Sequence, residues 1–200
     1  MEPLLAALEA AVAVCELFGP LMAPAAKNDR ANTDKVRKAW VDVGRPSTLR
    51  QLLEAEVNSG IHKPARSRNE ARSLKDPSAA VALVWVRRSL AFQTHVLGGL
   101  ARDRKSALSS VAGDAYKATL EKHHTWLLKS TFRMGLNAMP SRMEFLKKLA
   151  EGGEAGLLAK PEQERETICY DDLAELAAEQ AQVNKEVMGV LNDLQLEMAS

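Results

Sequence analysis

An aromatic residue and a cation share one face of a predicted helix in the segment VALVWVRRSLAF, residues 81–92. Trp85 and Arg88 lie about 60° apart on an apolar stripe, whereas Arg87 lies on the opposite side, where we expect it to be solvated. An indole ring and a guanidinium can recognise a ligand by stacking and hydrogen bonding, without covalent chemistry. Because an arginine on an apolar face needs a partner, Arg88 indicates either a ligand or an internal salt bridge.

Three hydrogen-bonding side chains follow helical spacing earlier in the chain, in the segment KNDRANTDKV. Asn28, Asn32 and Lys35 stand at positions i, i+4 and i+7 and therefore share one stripe. Amides and an ammonium group in such a row could form a polar floor that binds the hydroxyl groups of a ligand. An exposed helix face with no binding role accounts for the same spacing.

A histidine lies within the apolar stripe of another helix, which we predict over about residues 110–138. His124 shares this stripe with Leu127 and Leu128, so we expect it to face the interior. A histidine on an apolar face is commonly one that is satisfied within the core. A neutral imidazole there also has one N–H group to donate to a ligand.

The opposite face of that helix combines Trp126 with the cations Lys129 and Arg133. Tryptophan favours the interface between membrane and water, and cationic side chains attract anionic lipids. We therefore expect this face to contact a membrane.

Residues 60–75 form a second basic segment, which indicates either a solvated, mobile loop or a strip that meets anionic lipid heads.

The sequence lacks the common motifs of enzymes and metal sites. It has no HExxH motif, no phosphate-binding loop and no dinucleotide-binding fingerprint. Its two cysteines, Cys15 and Cys169, have no CxxC partner and no metal-ligand spacing. We expect no catalytic activity, no metal and no cofactor. The net charge of +1 gives no reason to expect a nucleic acid partner.

Helical signals dominate the chain, and no convincing strand pattern occurs, which predicts an all-α protein. The first helix is expected over about residues 3–18, and prolines at 20 and 24 then separate it from a second helix that ends near Val43. A short third helix is expected to begin at Ser47 or Thr48 and to end at Gly60.

Three further helices can be predicted from their termini and spacing. The dipeptide Asp76-Pro77 has the form of an N-cap followed by proline, which would open a helix over residues 76–103. Ser141 and Glu144 form a capping box after Pro140. Apolar residues at helical spacing from 173 to 198 predict one long amphipathic helix at the C-terminus.

The composition is that of a globular protein, with 46% hydrophobic and 26% charged residues among 200, and we expect a single domain over residues 1–200. The N-terminal segment is interrupted by Glu2, Glu9 and Glu16, and no apolar run approaches ~18 residues. These features argue against a signal peptide and a membrane span. We expect a monomer in the cytoplasm that contacts membrane surfaces transiently.

The segments ALVWVRRSLAF and KHHTWLLKSTFRMGLNAMPSRMEFLKKL resemble the glycolipid transfer protein family. The likeness runs with few gaps from about Pro20 to Leu149, and RQLLEAEV fits the short helix between the motifs. It implies a two-layer helical sandwich that encloses an apolar cavity for ceramide chains, with a headgroup site at the mouth of the cavity.

The resemblance also implies roles for individual residues. Trp85 matches the Trp on which the first sugar stacks, His124 matches the His that bonds the ceramide carbonyl, and Asn32 and Lys35 match the headgroup motif of the second helix. Trp126 matches the family's membrane-contacting Trp. The apolar positions of the family's pocket match Val81, Phe92, Val96, Leu120, Phe132, Leu136, Phe145 and Leu149.

One position departs from the family pattern. Asn28 stands where the headgroup motif begins with Asp, and Asp29 follows it. Charge-assisted hydrogen bonds are roughly twice as strong as neutral ones, so Asn28 is expected to bind a headgroup more weakly through its carbonyl. A shift of one residue would bring Asp29 into the site, with its side chain turned by about 100°.

The family also has a branch that carries ceramide-1-phosphate and uses arginines at the positions of Trp85 and Val81. Tryptophan stacks on a sugar ring and offers no charge to a phosphate. The sequence therefore predicts a non-enzymatic carrier that moves a glycosphingolipid between membranes. Lys35 and Arg88 leave open an anionic sphingolipid such as sulfatide or ceramide-1-phosphate, and Asn28 leaves open a transfer-inactive helical scaffold or lipid sensor.

Overall fold

The computed structural model describes residues 1–153 and 157–197, and these residues form eight α-helices with three short 3-10 turns. The helices are α1 (Glu2–Leu17), α2 (Ala23–Asp42), α3 (Leu49–Asn58), α4 (Ala79–Arg102), α5 (Leu108–Thr119), α6 (Trp126–Asn137), α7 (Arg142–Gly152) and α8 (Glu162–Asp193). Within the described ranges no strand occurs, and an isolated backbone bridge joins Lys63 to Ser73 in the loop after α3. The all-α prediction is confirmed.

The predicted bounds of the first three helices are confirmed to within about two residues. A 3-10 turn at Pro20–Met22 separates α1 from α2 where the prolines predict a kink. Thr48 and Gln51 form a capping box at the start of α3, because each side chain accepts a hydrogen bond from the other's backbone N–H. Gly60 follows α3 with a φ of 75°, which glycine adopts without a Cβ clash.

The start of α4 differs from the prediction. Its N-cap is Ser78, whose hydroxyl accepts the backbone N–H three residues ahead, and not Asp76. The carboxylate of Glu56 on α3 accepts hydrogen bonds from the N–H groups of Ala79 at 2.6 Å and Ala80 at 2.8 Å. The local Asp-Pro pattern was misleading because a side chain from another helix satisfies the first turn of α4.

The single helix predicted over about residues 110–138 is wrong, because the chain forms α5 and α6 with a turn between them. His124 lies in this turn with extended geometry, at φ −95° and ψ 139°. Thr125 then caps α6 with its hydroxyl, and a capping residue must leave helical geometry. As a consequence Leu127 and Leu128 are exposed, whereas the continuous helix placed them on the interior side with His124.

Helix α4 lies at the centre of the fold and packs against α1, α2, α3, α5 and α8. Two clusters of buried apolar side chains form around it. Phe92 and Val96 contribute to one cluster, and Leu83 and Val86 contribute to the other. The apolar character of the 81–92 segment on most of its sides therefore reflects a helix that is buried on most of its sides.

The C-terminal helix is confirmed as a long helix, but it ends at Asp193, and Met198 of the predicted apolar stripe lies outside the described residues. After α8 the chain turns at Gln195, with a φ of 56°, and the Gln195 carbonyl accepts from the backbone N–H of Arg72 at 2.6 Å. The Arg72 side chain donates to the Leu194 carbonyl at 3.1 Å. These bonds fix residues 194–197 against the basic loop that follows α3.

Among the helices of residues 1–153 and 157–197, none is both long enough and apolar enough to cross a bilayer.

The carboxylate cap on α4 can be tested by substitution. We expect Glu56→Gln to lower the free energy of unfolding by about 1–2 kcal/mol, because the amide has no charge for the helix N-terminus and one acceptor fewer. Glu54→Gln, two residues earlier on α3, is the matched control. Urea unfolding followed by far-ultraviolet circular dichroism measures both variants, and equal losses would contradict the capping role.

Candidate functional site

Trp85 and His124 meet on one side of α4. Their ring centroids are 6.4 Å apart, and both side chains are half-buried. The Tyr116 hydroxyl on α5 lies 3.1 Å from Nδ1 of His124. When this hydroxyl donates to Nδ1, the proton of the neutral imidazole is carried by Nε2. The arrangement then presents an imidazole N–H beside the indole ring.

The electrostatic surroundings keep these two groups neutral. Burial lowers the pKa of His124, and the positive charges of Lys129 and Arg88 lower it further. Burial also raises the pKa of the Tyr116 phenol. When the neutral phenol donates to Nδ1, the neutral imidazole carries its proton on Nε2, which can then donate to a carbonyl oxygen.

Arg88 is held by two contacts. Its guanidinium lies 5.0 Å from the centroid of the Trp85 ring, and its Nη2 donates to Glu197 at 2.9 Å. Arg87 donates to the same carboxylate at 2.7 Å, so the prediction that Arg87 is solvated was wrong. The reason is that the segment after α8 folds over α4 and covers both arginines. In this arrangement Arg88 braces the indole ring.

Helix α2 contributes a buried polar face that is rotated from the predicted one by about one residue. Asn28 is exposed, whereas Asp29, Asn32 and Thr33 are buried. Ser89 on α4 donates a short hydrogen bond to the Asp29 carboxylate. The contact with Ser89 turns Asp29 toward α4, and Asn28 therefore faces away from it.

Two contacts set the register of α2 against α4. Asp29 meets Ser89, and Nζ of Lys35 lies 3.0 Å from the carboxylate of Asp76, just ahead of α4. The two helices are therefore antiparallel, and Asn32 lies at the level of the tryptophan of α4. The sequence-predicted Asn32, Trp85 and His124 are thus brought to one region, with Lys35 at its edge.

The side-chain amide of Asn32 is the strongest indication of a ligand at this position. Its nitrogen is buried and has no hydrogen-bond partner among the residues that the structure describes. A buried donor without an acceptor is destabilising by about 1–3 kcal/mol. An acceptor on a bound molecule would satisfy it.

The apolar residues predicted to line a chain pocket are packed against one another. Phe132 stacks on Tyr116 at 4.5 Å and meets Phe92 edge-on at 5.5 Å, while Phe18 stacks on Phe145 at 5.6 Å. Seven of the predicted lining residues belong to this cluster or pack against it: Phe92, Val96, Leu120, Phe132, Leu136, Phe145 and Leu149. The eighth, Val81, is half-buried on α4. An acyl chain that enters here has to separate these rings.

Helix α6 carries exposed apolar side chains. Trp126 is 82% exposed, and Leu127, Met134 and Leu21 from the turn before α2 are also exposed. Gly135 allows α6 to approach that turn, because a Cβ there would lie 2.8 Å from Sδ of a neighbouring methionine. Exposed apolar patches of this kind mark contact with a membrane or a protein.

The two cations predicted on the same face lie on α6 as expected. Lys129 is half-buried, and Arg133 is exposed and pairs with Glu121 from the turn before the helix. Exposed ion pairs of this kind contribute little to stability, so Arg133 can exchange this partner for an anionic surface group.

Comparison with protein families identifies a match over most of the chain. The family described as Glycolipid transfer protein (GLTP) matches residues 1–151. Pleckstrin homology domain-containing family A member 8 of Rattus norvegicus is 28% identical over 190 residues, which are 88% of this chain and 34% of that protein. The chain therefore spans about a third of the length of this curated relative.

Solved structures share the fold. A structure of FAPP2, described as showing how it selects simple glycosphingolipids with the GLTP fold, has a TM-score of 0.78 at 24% identity and covers 98% of this chain and 86% of that chain. Mouse ceramide-1-phosphate transfer protein in its apo form has a TM-score of 0.77 at 17% identity, and the match covers 100% of this chain and 89% of that chain. The predicted two-layer helical sandwich is confirmed. The fold alone does not distinguish the two kinds of headgroup, because both structures match it about equally well.

The buried carboxyl of Asp29 predicts how stability depends on pH. Burial raises its pKa from 3.8 to about 6, although the bond from Ser89 lowers it in part. The folded state therefore favours the protonated form of Asp29. The preference of the folded state for this proton adds to the free energy of unfolding in full below pH 3.8, and this added stability is lost as the pH rises through about 6. The loss is on the order of 3 kcal/mol.

We expect Asp29→Asn to remove this loss, because the amide cannot ionise. Urea unfolding at pH 4.5 and pH 7.5 should show that the variant gains stability relative to the wild type as the pH rises. Asp34→Asn, at an exposed position of the same helix, is the control. Parallel pH profiles for Asp29→Asn and the wild type would contradict the assignment.

Proposed function

This chain belongs to the glycolipid transfer protein family, and from that premise we propose that it binds a sphingolipid and moves it between membranes without covalent chemistry. The proposal is carried by the buried, unpartnered amide of Asn32 at the level of the Trp85–His124 pair. An indole face can stack on a sugar ring, an imidazole N–H can donate to the ceramide carbonyl, and an amide N–H can donate to a headgroup oxygen.

We propose a neutral glycosphingolipid as the preferred ligand. Trp85 has no charge to offer a phosphate, and the neighbouring cations already have carboxylate partners. Arg88 pairs with Glu197, and Lys35 pairs with Asp76. An anionic headgroup would have to compete with these carboxylates, whereas a sugar would leave them in place.

An anionic sphingolipid such as sulfatide or ceramide-1-phosphate is the second candidate. The Lys35 side chain favours it, because it is 36% exposed and its pair with Asp76 is open to water. Exposed ion pairs are weak, so a sulfate or phosphate could replace the Asp76 carboxylate at Lys35 at little cost.

The acyl chains are proposed to enter the cluster around Phe92, Phe132 and Phe145. Two chains bring on the order of 30 CH₂ groups, each worth ~0.8 kcal/mol out of water. A bilayer offers nearly the same gain, so this large term almost cancels between membrane and protein. Headgroup contacts, each worth about 0.5–3 kcal/mol, are therefore expected to determine which lipid is bound.

We propose that the protein docks from the cytoplasm with the face of α6 that carries Trp126, Lys129 and Arg133, and that it acts as a monomer. The exposed indole and its exposed apolar neighbours support this orientation. Their insertion at the level of the lipid headgroups would bring the site beside the bilayer surface, because His124 lies two residues before Trp126 in the chain.

The proposed ligand class can be tested by transfer between vesicles. We expect transfer of galactosylceramide, and we expect Asn32→Ala to lower its rate about tenfold, because one buried hydrogen bond to the headgroup is lost. Asn28→Ala is the matched control, since the exposed Asn28 lies one turn earlier on α2 and should leave transfer near the wild-type rate. Equal losses in the two variants would contradict the placement of the site.

The same assay separates the alternatives for the wild-type protein. Donor vesicles contain galactosylceramide, sulfatide or ceramide-1-phosphate, and tryptophan emission reports binding. Faster transfer of sulfatide or ceramide-1-phosphate would favour the anionic ligand. If no sphingolipid is transferred and tryptophan emission does not change, the transfer function is wrong and a helical scaffold is favoured.

The docking face predicts a second, separable effect. We expect Trp126→Ala to slow membrane binding several-fold, because the exposed indole is the largest apolar group on α6, and to leave headgroup preference unchanged. Leu158→Ala removes an exposed apolar side chain from the turn after α7 and serves as control. Vesicle flotation measures docking, and a change of headgroup preference in Trp126→Ala would contradict the assignment of this face.

A further inference from the structure

Glu197 binds Arg87 and Arg88, the two arginines that follow Trp85 on α4. It lies outside residues 1–151, which the family pattern matches. Its carboxylate accepts from Nε of Arg87 at 2.7 Å and, through the other oxygen, from Nη2 of Arg88 at 2.9 Å. The side chains of Arg87, Arg88 and Glu197 are only 16%, 18% and 12% exposed. This ion-pair cluster is therefore largely dehydrated, unlike a surface salt bridge.

The charges in this cluster do not balance. Although burial alone would raise the pKa of Glu197, the bonds and charges of Arg87 and Arg88 lower it, so the carboxylate is ionised at neutral pH. Burial and the charges of Arg88 and Lys122 lower the pKa of the nearby His123, which keeps that imidazole neutral. Two guanidinium groups thus share one ionised carboxylate.

The position of Glu197 is fixed by the chain around it. The Gln195 side chain donates to the backbone carbonyls of Ser67 at 3.0 Å and Arg68 at 3.2 Å. The Gln195 carbonyl accepts from the N–H of Arg72. Because the segment is already ordered, the carboxylate binds the arginines without a further loss of conformational freedom and competes strongly with an external anion.

We propose that Glu197 is a specificity-determining residue whose carboxylate occupies the place on Arg88 that the sulfate or phosphate of an anionic headgroup would take. The proposal rests on the proposed function, since it concerns the headgroup that stacks on Trp85. The Arg88 guanidinium lies 5.0 Å from that ring, so an anionic group on a stacked sugar would reach it. A neutral sugar leaves the cluster intact.

Two costs oppose the anionic headgroup. The headgroup has to displace the Glu197 carboxylate from the arginines. The displaced carboxylate is then a buried negative charge close to the negative charge of the headgroup. Selection of one ligand over another by a group that repels the unwanted ligand is a common basis of specificity. Glu197 supplies such a group from the C-terminal segment.

The matched lipids galactosylceramide and sulfatide, which differ by one sulfate, test the inference with the variant Glu197→Gln. The amide keeps the shape of the side chain and removes its charge. We expect the binding of sulfatide relative to galactosylceramide to rise about tenfold, equivalent to one charge-assisted hydrogen bond, while galactosylceramide binding changes by less than about twofold. Titration of tryptophan emission with phosphatidylcholine vesicles that contain either lipid measures both affinities.

Three further variants make the result specific. Asp193→Asn removes a carboxylate four residues earlier, which pairs with Arg50 at the surface, and should leave the ratio unchanged. Glu197→Asp keeps the charge and should keep the wild-type preference. Arg88→Gln combined with Glu197→Gln should abolish the gain in sulfatide binding, because the guanidinium that receives the sulfate is absent.

The outcomes distinguish the inference from the function on which it rests. An unchanged ratio in Glu197→Gln, or an equal loss of both lipids, would overturn the inference, the second result by showing that Glu197 only braces the site. Failure of the wild-type protein to bind either lipid would overturn the proposed function itself. Far-ultraviolet circular dichroism of each variant confirms that the helices are retained.

Discussion

Helix α4 is buried along most of its length, so its polar groups depend on partners from other elements. These partners come from four separate parts of the chain, and each bond ties one of them to α4. The pairs are Ser89 with Asp29 of α2, Gln93 with Gln180 of α8, Arg87 and Arg88 with Glu197 after α8, and the first N–H groups with Glu56 of α3. These bonds hold α2, α3, α8 and the segment after α8 against α4, which carries Trp85.

Burial along α4 is graded, and this gradient supports the proposal that one helix serves both a headgroup and acyl chains. On one stripe Trp85 and Arg88 are half-buried, whereas Phe92 and Val96, one to three turns further on, are fully buried. Polar recognition belongs at the half-buried end, where water can leave and a ligand can enter. The apolar end would offer an acyl chain the environment that a bilayer also offers, so we propose that discrimination between lipids depends on Trp85, Asn32, His124 and the charges around them.

Much of the fold could be predicted from the sequence because its determinants are local. The helix start at Thr48, the capping box at Ser141 and the proline kink before α2 are confirmed, since they depend on residues a few positions apart. Thr125 is an equally local N-cap signal, and it marks the break that separates α5 from α6. The long apolar stripe outweighed it because periodicity alone does not detect a turn whose flanking helices keep similar spacing.

What escaped prediction depends on residues far apart in the chain. Glu197 is 110 residues from Arg87, and no spacing rule connects them. A rotation of α2 by one residue decides whether Asn28 or Asp29 is buried, and the Ser89 hydroxyl on another helix sets that rotation. We propose that Asn32 and His124 bind the ligand directly. Nitrogen–proton NMR of their side chains during titration with galactosylceramide in bicelles is the most direct test. We predict that both signals shift in proportion to bound lipid; unchanged signals while tryptophan emission reports binding would contradict direct contact between these two residues and the ligand.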